Sequence, residues 1–391
     1  MKRFLILLTL TTLFIPIQSA SARELTATGE EIIEIADTRN RDLNGNFYDR
    51  SLEERLQPSG ALGSLLERAA TLASSKRILV IDPMLIEEVQ DLADGFSVRI
   101  ESESEKLQIE EVQASEIAIS WLNRLSQVTS SDEVGSLNYG NPDTAFLARS
   151  APSELRIHLE LSRQRLAELL SRDISPVALT PGVGQRLQPF LTENFTENRR
   201  EIRAINRYAK NPETRRYRLI NASLLDPSFD RERAFEFARD LNKALYQYRN
   251  SIRITSGRYT LTSSNEKIPV TLINDFTNDL SVRITVSASN TRVIVGAIDP
   301  ITIPAQSKEQ FTIPIEVLSS GQSDLVITLT TESGRRIGPE TRLPLTLAVI
   351  SPLTTWITTG SGIVLLLAAI VQSLRRIRKS RKKSLESVNH E

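Results

Sequence analysis

Between about residue 258 and residue 350, apolar residues fall on alternate positions. Ile268, Val270 and Leu272 alternate with polar or proline residues, and so do Leu280, Val282, Ile284 and Val286. The pattern returns at Phe311, Ile313, Ile315 and Val317, at Leu325, Ile327 and Leu329, and at Leu343, Leu345, Leu347 and Val349. A period of two turns one side of each run to a core and the other to water, as in half-buried antiparallel strands. Turn-forming clusters separate the runs: Asn274-Asp275, Ser319-Ser320-Gly321 and Glu332-Ser333-Gly334. Roughly seven strands in roughly 95 residues predict an all-β, immunoglobulin-like sandwich over 251–350. Pro269, Pro304, Pro314 and Pro344 cannot donate to a ladder and are expected at edges or bulges.

Residues 23–250 follow a different rule. Short apolar runs at 32–36, 78–81, 134–137, 177–179 and 217–220 read as strands, and amphipathic helices lie between them. Leu62, Leu65, Leu66, Ala69 and Leu72 make one helical stripe, and Ile117, Trp121, Leu122 and Leu125 another. Leu166, Leu169 and Leu170 belong to a third, and Phe235, Ala238, Leu241, Leu245 and Tyr248 to a fourth. Strands alternating with helices predict an α/β domain, either an open parallel sheet or an incomplete βα barrel.

The two ends predict a topology. Met1-Lys2-Arg3, an apolar run over 4–17 and Ala20-Ser21-Ala22 form the pattern of a signal peptide over 1–22. Near the other end, no charged residue lies between Arg342 and Arg375, and 353–374 reads as a transmembrane helix with Trp356 at the outer interface. The tail, 375–391, opens with Arg375, Arg376, Arg378, Lys379, Arg381, Lys382 and Lys383, cations suited to anionic membrane lipid and to the cytoplasmic side. The expected arrangement is a single-pass protein of the cell membrane, with its bulk extracytoplasmic.

Composition removes several chemistries. The chain has 391 residues, two His and no Cys, so a disulfide framework, a thiolate metal site and a Cys nucleophile are excluded. Its net charge of zero averages unlike segments: residues 23–352 hold 39 basic and 46 acidic residues, a net of about −7. That surplus disfavours nucleic acid as a partner. No metal site and no cofactor is expected.

Candidate chemistry gathers at strand ends, where loops of parallel α/β folds converge. Asp37, Asp82 and Asp143 follow the first three expected strands; converging, they would form a carboxylate cluster for acid–base work on a sugar or for a weak cation. The competing role for Asp82 is to cap the helix starting at Pro83, with Asn141 doing the same ahead of Pro142. Tyr139 and Asn141 are the candidate ligand contacts, an aromatic face and an amide in Asn138-Tyr139-Gly140-Asn141-Pro142-Asp143. His158, in a charged helical start, is expected at the surface, and His390 lies in the tail. Pro181-Gly182-Val183-Gly184-Gln185 lacks the Gly-Lys-Ser/Thr ending of a phosphate loop.

Several of these stretches resemble a family of exported, membrane-anchored actinobacterial proteins, domain-of-unknown-function family 6049. The matching residues are Asp49-Arg50-Ser51-Leu52, Gly60-Ala61-Leu62, Leu79-Val80-Ile81-Asp82-Pro83-Met84-Leu85, Trp121-Leu122, Leu137 to Asp143, and Arg258-Tyr259-Thr260-Leu261-Thr262-Ser263 with Ile268-Pro269-Val270. The resemblance implies a signal peptide, a barrel-like α/β domain, an immunoglobulin-like domain and one membrane anchor, and it carries over no catalytic role. The family usually has Asp where Asn141 stands. A distant likeness to sugar-deacetylating barrels implies an Asp-His-His metal site, which a chain with one His outside its tail cannot build. The reading that results is a cell-envelope binding or scaffold protein contacting cell-wall glycan or envelope proteins. Its alternative is a carboxylate-dependent glycan hydrolase, or a degenerate relative of one, using Asp82 and Asp143.

Overall fold

A computed structural model describes residues 30–100, 108–176, 184, 187–255, 257–348 and 352–386, with side chains in the last segment described over 359–376 only. The chain forms two compact units. The first takes the described residues up to Arg203 together with Pro212–Leu245; the second takes Ala204–Asn211 and the residues from Tyr246 onward.

The first unit runs β1 (Glu31–Ile35), α1 (Ser51–Leu56), α2 (Ala61–Thr71), β2 (Arg77–Ile81), α3 (Pro83–Asp94), β3 (Phe96–Ile100), β4 (Gln108–Val112), α4 (Glu116–Thr129), β5 (Val134–Ser136), α5 (Thr144–Ser150), α6 (Pro152–Leu170), α7 (Pro189–Ile205), α8 (Pro212–Ala222) and α9 (Arg231–Arg249). The final residues of α7 and α9 belong to the second unit. Strands β1, β2 and β5 make a parallel sheet in the order β1-β2-β5, with Ile35 opposite Ile81 and Ile81 opposite Ser136. All five residues of β2 are buried, as befits a middle strand covered on both faces. Helix α3 starts where Asp82 accepts the Met84 N–H and Pro83 supplies helical φ, and it buries Leu85, Ile86, Val89 and Leu92.

The expected α/β architecture is overturned: this unit is helix-rich, with only three strands in its parallel sheet. The expected strand at 217–220 is part of α8, because Pro212 and Glu213 favour a helix start that the short apolar pair Leu219-Ile220 then continues. The expected strand at 177–179 lies outside the described residues. β3 and β4 pair with each other as an antiparallel hairpin that the apolar pattern did not mark, since β4 exposes nearly every residue.

The second unit runs β6 (Ile252–Ile254), β7 (Tyr259–Leu261), β8 (Asn265–Asn274), β9 (Leu280–Ala288), β10 (Val293–Val295), β11 (Ile301–Ile303), β12 (Ser307–Val317), β13 (Gly321–Thr330), β14 (Arg336–Leu347) and α10 (Pro352–Glu386). The sheet orders are β10-β12-β8-β6 and β11-β9-β13-β14-β7, and one apolar core draws on both. The immunoglobulin-like sandwich is corrected to a β-rich unit of curled half-barrels. A register shift between Ile327 and Leu329 bends β13 against β14, and β7 joins β14 in parallel. Pro269, Pro314 and Pro344 lie in inner strands, each at a register where one neighbour has already ended. They are locally at an edge, and no ladder bond is lost.

The expected transmembrane helix is also overturned. No helix among the described residues is long and apolar enough to cross a membrane. The described side chains of α10 include Thr359, Ser361, Gln372, Ser373, Arg375 and Arg376, and the unbroken apolar run 363–371 is about half of the ~20 residues that a hydrocarbon core requires. The expected signal peptide and the side chains of Trp356, Arg378, Lys379, Arg381, Lys382 and Lys383 lie outside those described.

Candidate functional site

Strands β1, β2 and β5 end side by side, and the loops beyond them hold the sequence candidates. Asp82 is fully buried. Its Oδ1 accepts the Met84 N–H at 2.8 Å, and both oxygens lie within 3.2 Å of the Gly140 N–H. Burial pushes its carboxyl well above the usual range, and those two N–H groups oppose the shift without cancelling it. Asp143, 8% exposed, caps α5 by accepting the Phe146 N–H at 2.8 Å, and its own N–H donates to Leu225. Asp37 accepts from Arg55 Nε at 2.9 Å and from Asn40 Nδ2 at 3.2 Å, which ties its loop to α1.

The three carboxyls therefore share one end of the sheet while serving three separate local tasks. Among the described residues, no group of three or more His, Asp or Glu side chains is arranged to hold a metal ion. The acids that do feel Asp82 are Glu88 and Asp226, both buried. Burial raises both, and Asp37 raises Asp226 further. Arg41 and Arg39, then Asn40, pull Glu88 back.

The ligand candidates are placed less freely than expected. Tyr139 is 4% exposed, with its hydroxyl donating to Glu87 Oε2 at 2.7 Å, so its ring is packed instead of presented for stacking. Its burial and the Glu87 charge raise the phenol above its ordinary range. Asn141 does not cap a helix: it turns the loop in the left-handed region at φ 41°, with its N–H on Asn138 O, and Asp143 supplies the cap. His158 is fully buried, contrary to its expected surface position. Its ring nitrogens face Asn138 Oδ1 at 3.1 Å and Leu219 O at 3.4 Å. Burial lowers its pKa to about 4, so the ring is neutral and carries a single N–H, assigned to Nδ1 because the Asn138 Oδ1 acceptor is the nearer of the two. Ser162 Oγ, one turn along α6, donates to His158 O and accepts the Tyr139 N–H.

Beside this buried layer opens a cleft of about 510 Å³, walled by the β1–α1 loop, α3, α6 and α8. Its acids are prepaired with arginines. Arg41 meets Glu87 at 3.0 Å and also Asp91; Arg165 meets Glu87 at 2.5 Å and Glu168 at 3.0 Å. Arg216 meets Glu213 at 3.3 Å, and Asp42 is held by Arg99 at 2.8 Å. Such a volume suits a small polar ligand. Sequence reasoning missed Arg39, Arg41, Glu87 and Arg165 because their partners are remote along the chain, and Arg215 because only the fold brings α8 to the cleft. The one available signal was the dense polar run Thr38-Arg39-Asn40-Arg41-Asp42 directly after a strand.

Residues 161–382, more than half of the chain, match a family of unknown function, DUF6049. No curated protein matches the sequence. Among solved structures, the chain is similar to WR4, a C. elegans MSP family member, at 14% identity over 25% of this chain and 98% of that one, with a TM-score of 0.20. It is similar to native E. coli alpha-2-macroglobulin at 10% identity over 25% and 6%, with a TM-score of 0.20. It is also similar to a PapD-like domain of human CEP192 at 10% identity over 26% and 87%, with a TM-score of 0.21. Likeness at this level carries no argument about this protein.

Proposed function

The chain belongs to the DUF6049 family of unknown function, and from that premise we propose that it is a binding or scaffold protein of the cell envelope, contacting glycan or envelope proteins through the cleft of its helix-rich unit. One observation carries this reading. Asp82 and Asp143, the carboxyls best placed by sequence for acid–base chemistry, both hold helix N-termini, whereas the cleft alongside stays open between walls whose acids are already paired with arginines. Prepaired walls are rigid, and a rigid cleft gives up little conformational entropy when it binds. The envelope location is supported by the basic, apolar, then small-residue pattern of residues 1–22.

Retention of the full-length chain on cell-wall glycan, and on immobilised envelope extract, tests the proposal. Gln164, an exposed cleft residue on α6, is changed to Trp to fill the cleft without touching the core. Retention lost in Gln164→Trp and kept in Asp82→Asn is the expected result. Retention indifferent to Gln164→Trp overturns the cleft reading. Loss in Asp82→Asn with the fold intact returns the hydrolase.

A further inference from the structure

We propose that the cleft recognises an anionic saccharide of one or two rings, its phosphate or carboxylate seated on the guanidinium of Arg39, with Arg215 at the rim. The inference rests on the cleft being the binding site and adds which end of the ligand is held.

The acids of the lining are already engaged. Asp42, Glu87, Asp91, Glu168 and Glu213 each have an arginine partner. Two lining arginines are left over. Arg39 is 3% exposed, and among the described residues no carboxylate lies within ion-pair distance of it. Its Nε and Nη2 rest on Ser223 Oγ at 3.3 and 3.2 Å, and the Phe237 ring lies 4.5 Å from its central carbon. Ser223 Oγ donates to Ile220 O, which leaves it an acceptor that fixes the guanidinium without neutralising it. Glu88 feels the Arg39 charge, but both its oxygens accept from Asn40. Nη1 of Arg39 donates to nothing among the described residues, and the side chain lines the cleft. A buried guanidinium with an unused edge is a costly group that an oxyanion satisfies in bidentate fashion.

Arg215 strengthens the case. It projects from α8 into the lining, is exposed, and likewise has no carboxylate partner among the described residues. The rest of the wall suits hydroxyl-bearing rings: Asn44, Gln90 and Gln164 supply amides, and Leu43 and Leu161 supply apolar surface. A cation on the floor, a second at the rim and amides between them select a sugar acid over a neutral sugar.

Titration calorimetry on the full-length chain tests this with glucose 6-phosphate, glucuronate, inorganic phosphate, neutral glucose and a triglutamate peptide. At least one charged sugar is expected to bind about 10-fold or more tightly than glucose, with an affinity that falls as NaCl rises from about 0.05 to 0.5 M. The stronger of the two charged sugars identifies the oxyanion. Arg39→Lys, which keeps the charge but loses the fork, should weaken it about 10-fold. Arg215→Gln, an exposed change that leaves the core alone, should weaken it about 3- to 10-fold. Glucose binding as tightly as both charged sugars overturns the proposal, as do unchanged affinity in Arg215→Gln, tighter binding of the peptide, or no binding by either charged sugar. Those failures leave the cleft reading standing if Gln164→Trp still abolishes retention on envelope material; if it does not, that reading has failed too.

Discussion

The Asp82 carboxylate accepts the backbone N–H of Gly140, 58 residues further along the chain, at 3.0 Å, while its Oδ1 also caps α3 at Met84. One side chain thereby fastens the loop after β2 to the loop after β5. Asp82→Ala removes a cap worth about 1 kcal/mol together with a buried cross-loop bond, and should lower stability by about 2–4 kcal/mol. Asp82→Asn keeps an acceptor on the same stem and should cost about 1 kcal/mol or less. Urea titrations of the three proteins measure the difference. Equal losses from Ala and Asn would show that charge, and not capping, is what the site requires.

Gly140 is the other half of that contact. Its φ of +72° lies in the left-handed region, and a Cβ there would fall 2.3 Å from Ser223 Cβ. Gly140→Ala therefore meets conformational strain and overpacking together, for about 2–4 kcal/mol. Because Ser223 holds the Arg39 guanidinium, the same change should also disturb cleft binding. A variant as stable as the parent, by the same titration, would sink this account of the loop.

His158 makes the helix-rich unit acid-sensitive. Burial lowers its pKa from 6.5 to about 4, so between those values the unfolded chain takes up a proton that the folded chain refuses. The stability involved, about 3 kcal/mol, is full above pH 6.5 and is lost as pH falls toward 4. Asp82, Glu88 and Asp226 act with the opposite sign. Their folded values are raised, so their contribution is present below the ordinary carboxyl range and lost as pH rises through the folded values. His158→Gln should therefore flatten the loss between pH 6.5 and about 4 relative to the parent, even where the two trends overlap. Tryptophan fluorescence in a Trp356→Phe background, which leaves the buried Trp121 as reporter, follows the unfolding.

The β-rich unit depends on a different buried group. Asn274, fully buried at the end of β8, donates from Nδ2 to Asn278 O and Pro304 O at 3.0 and 2.9 Å, and its Oδ1 accepts the Phe276 N–H at 3.1 Å. Asn274→Ala leaves those backbone groups short of a partner and should cost about 2–3 kcal/mol. Asn274→Asp keeps the acceptor but loses the donor and buries a charge, and should be worse. Thermal unfolding followed in the β-region of the circular dichroism spectrum checks the order; an Asp variant more stable than Ala would contradict it.

Much of the secondary structure was legible in advance. Ile268-Val270-Leu272 and Leu343-Leu345-Leu347 show buried–exposed alternation in β8 and β14, because period-two patterning is a local consequence of half burial. Asp82-Pro83 announced the start of α3 for the same reason: a cap and its Pro are neighbours in sequence. The candidate site was only half legible. The loops were found, but the roles of their residues were not. Tyr139 is buried through its bond to Glu87 on α3, and His158 through Asn138 and Leu219 on two different segments. Neither partner leaves a trace in the local pattern.

What the sequence determined by itself was the alternation of the β-strands, the helical stripes, the caps, and the absence of Cys and near-absence of His that exclude whole chemistries. Those features depend on neighbours within one turn or one strand, where spacing and contact are the same thing. Only the tertiary structure decided that the first unit is helix-rich, that the β-sheets curl, that Asp82 and Asp143 serve as caps, and that Arg39 meets no carboxylate among the described residues while Arg41 and Arg165 share Glu87. Charge pairing acts through space and is strongest where water is excluded, so which arginine finds an acid is settled only once distant segments have packed together.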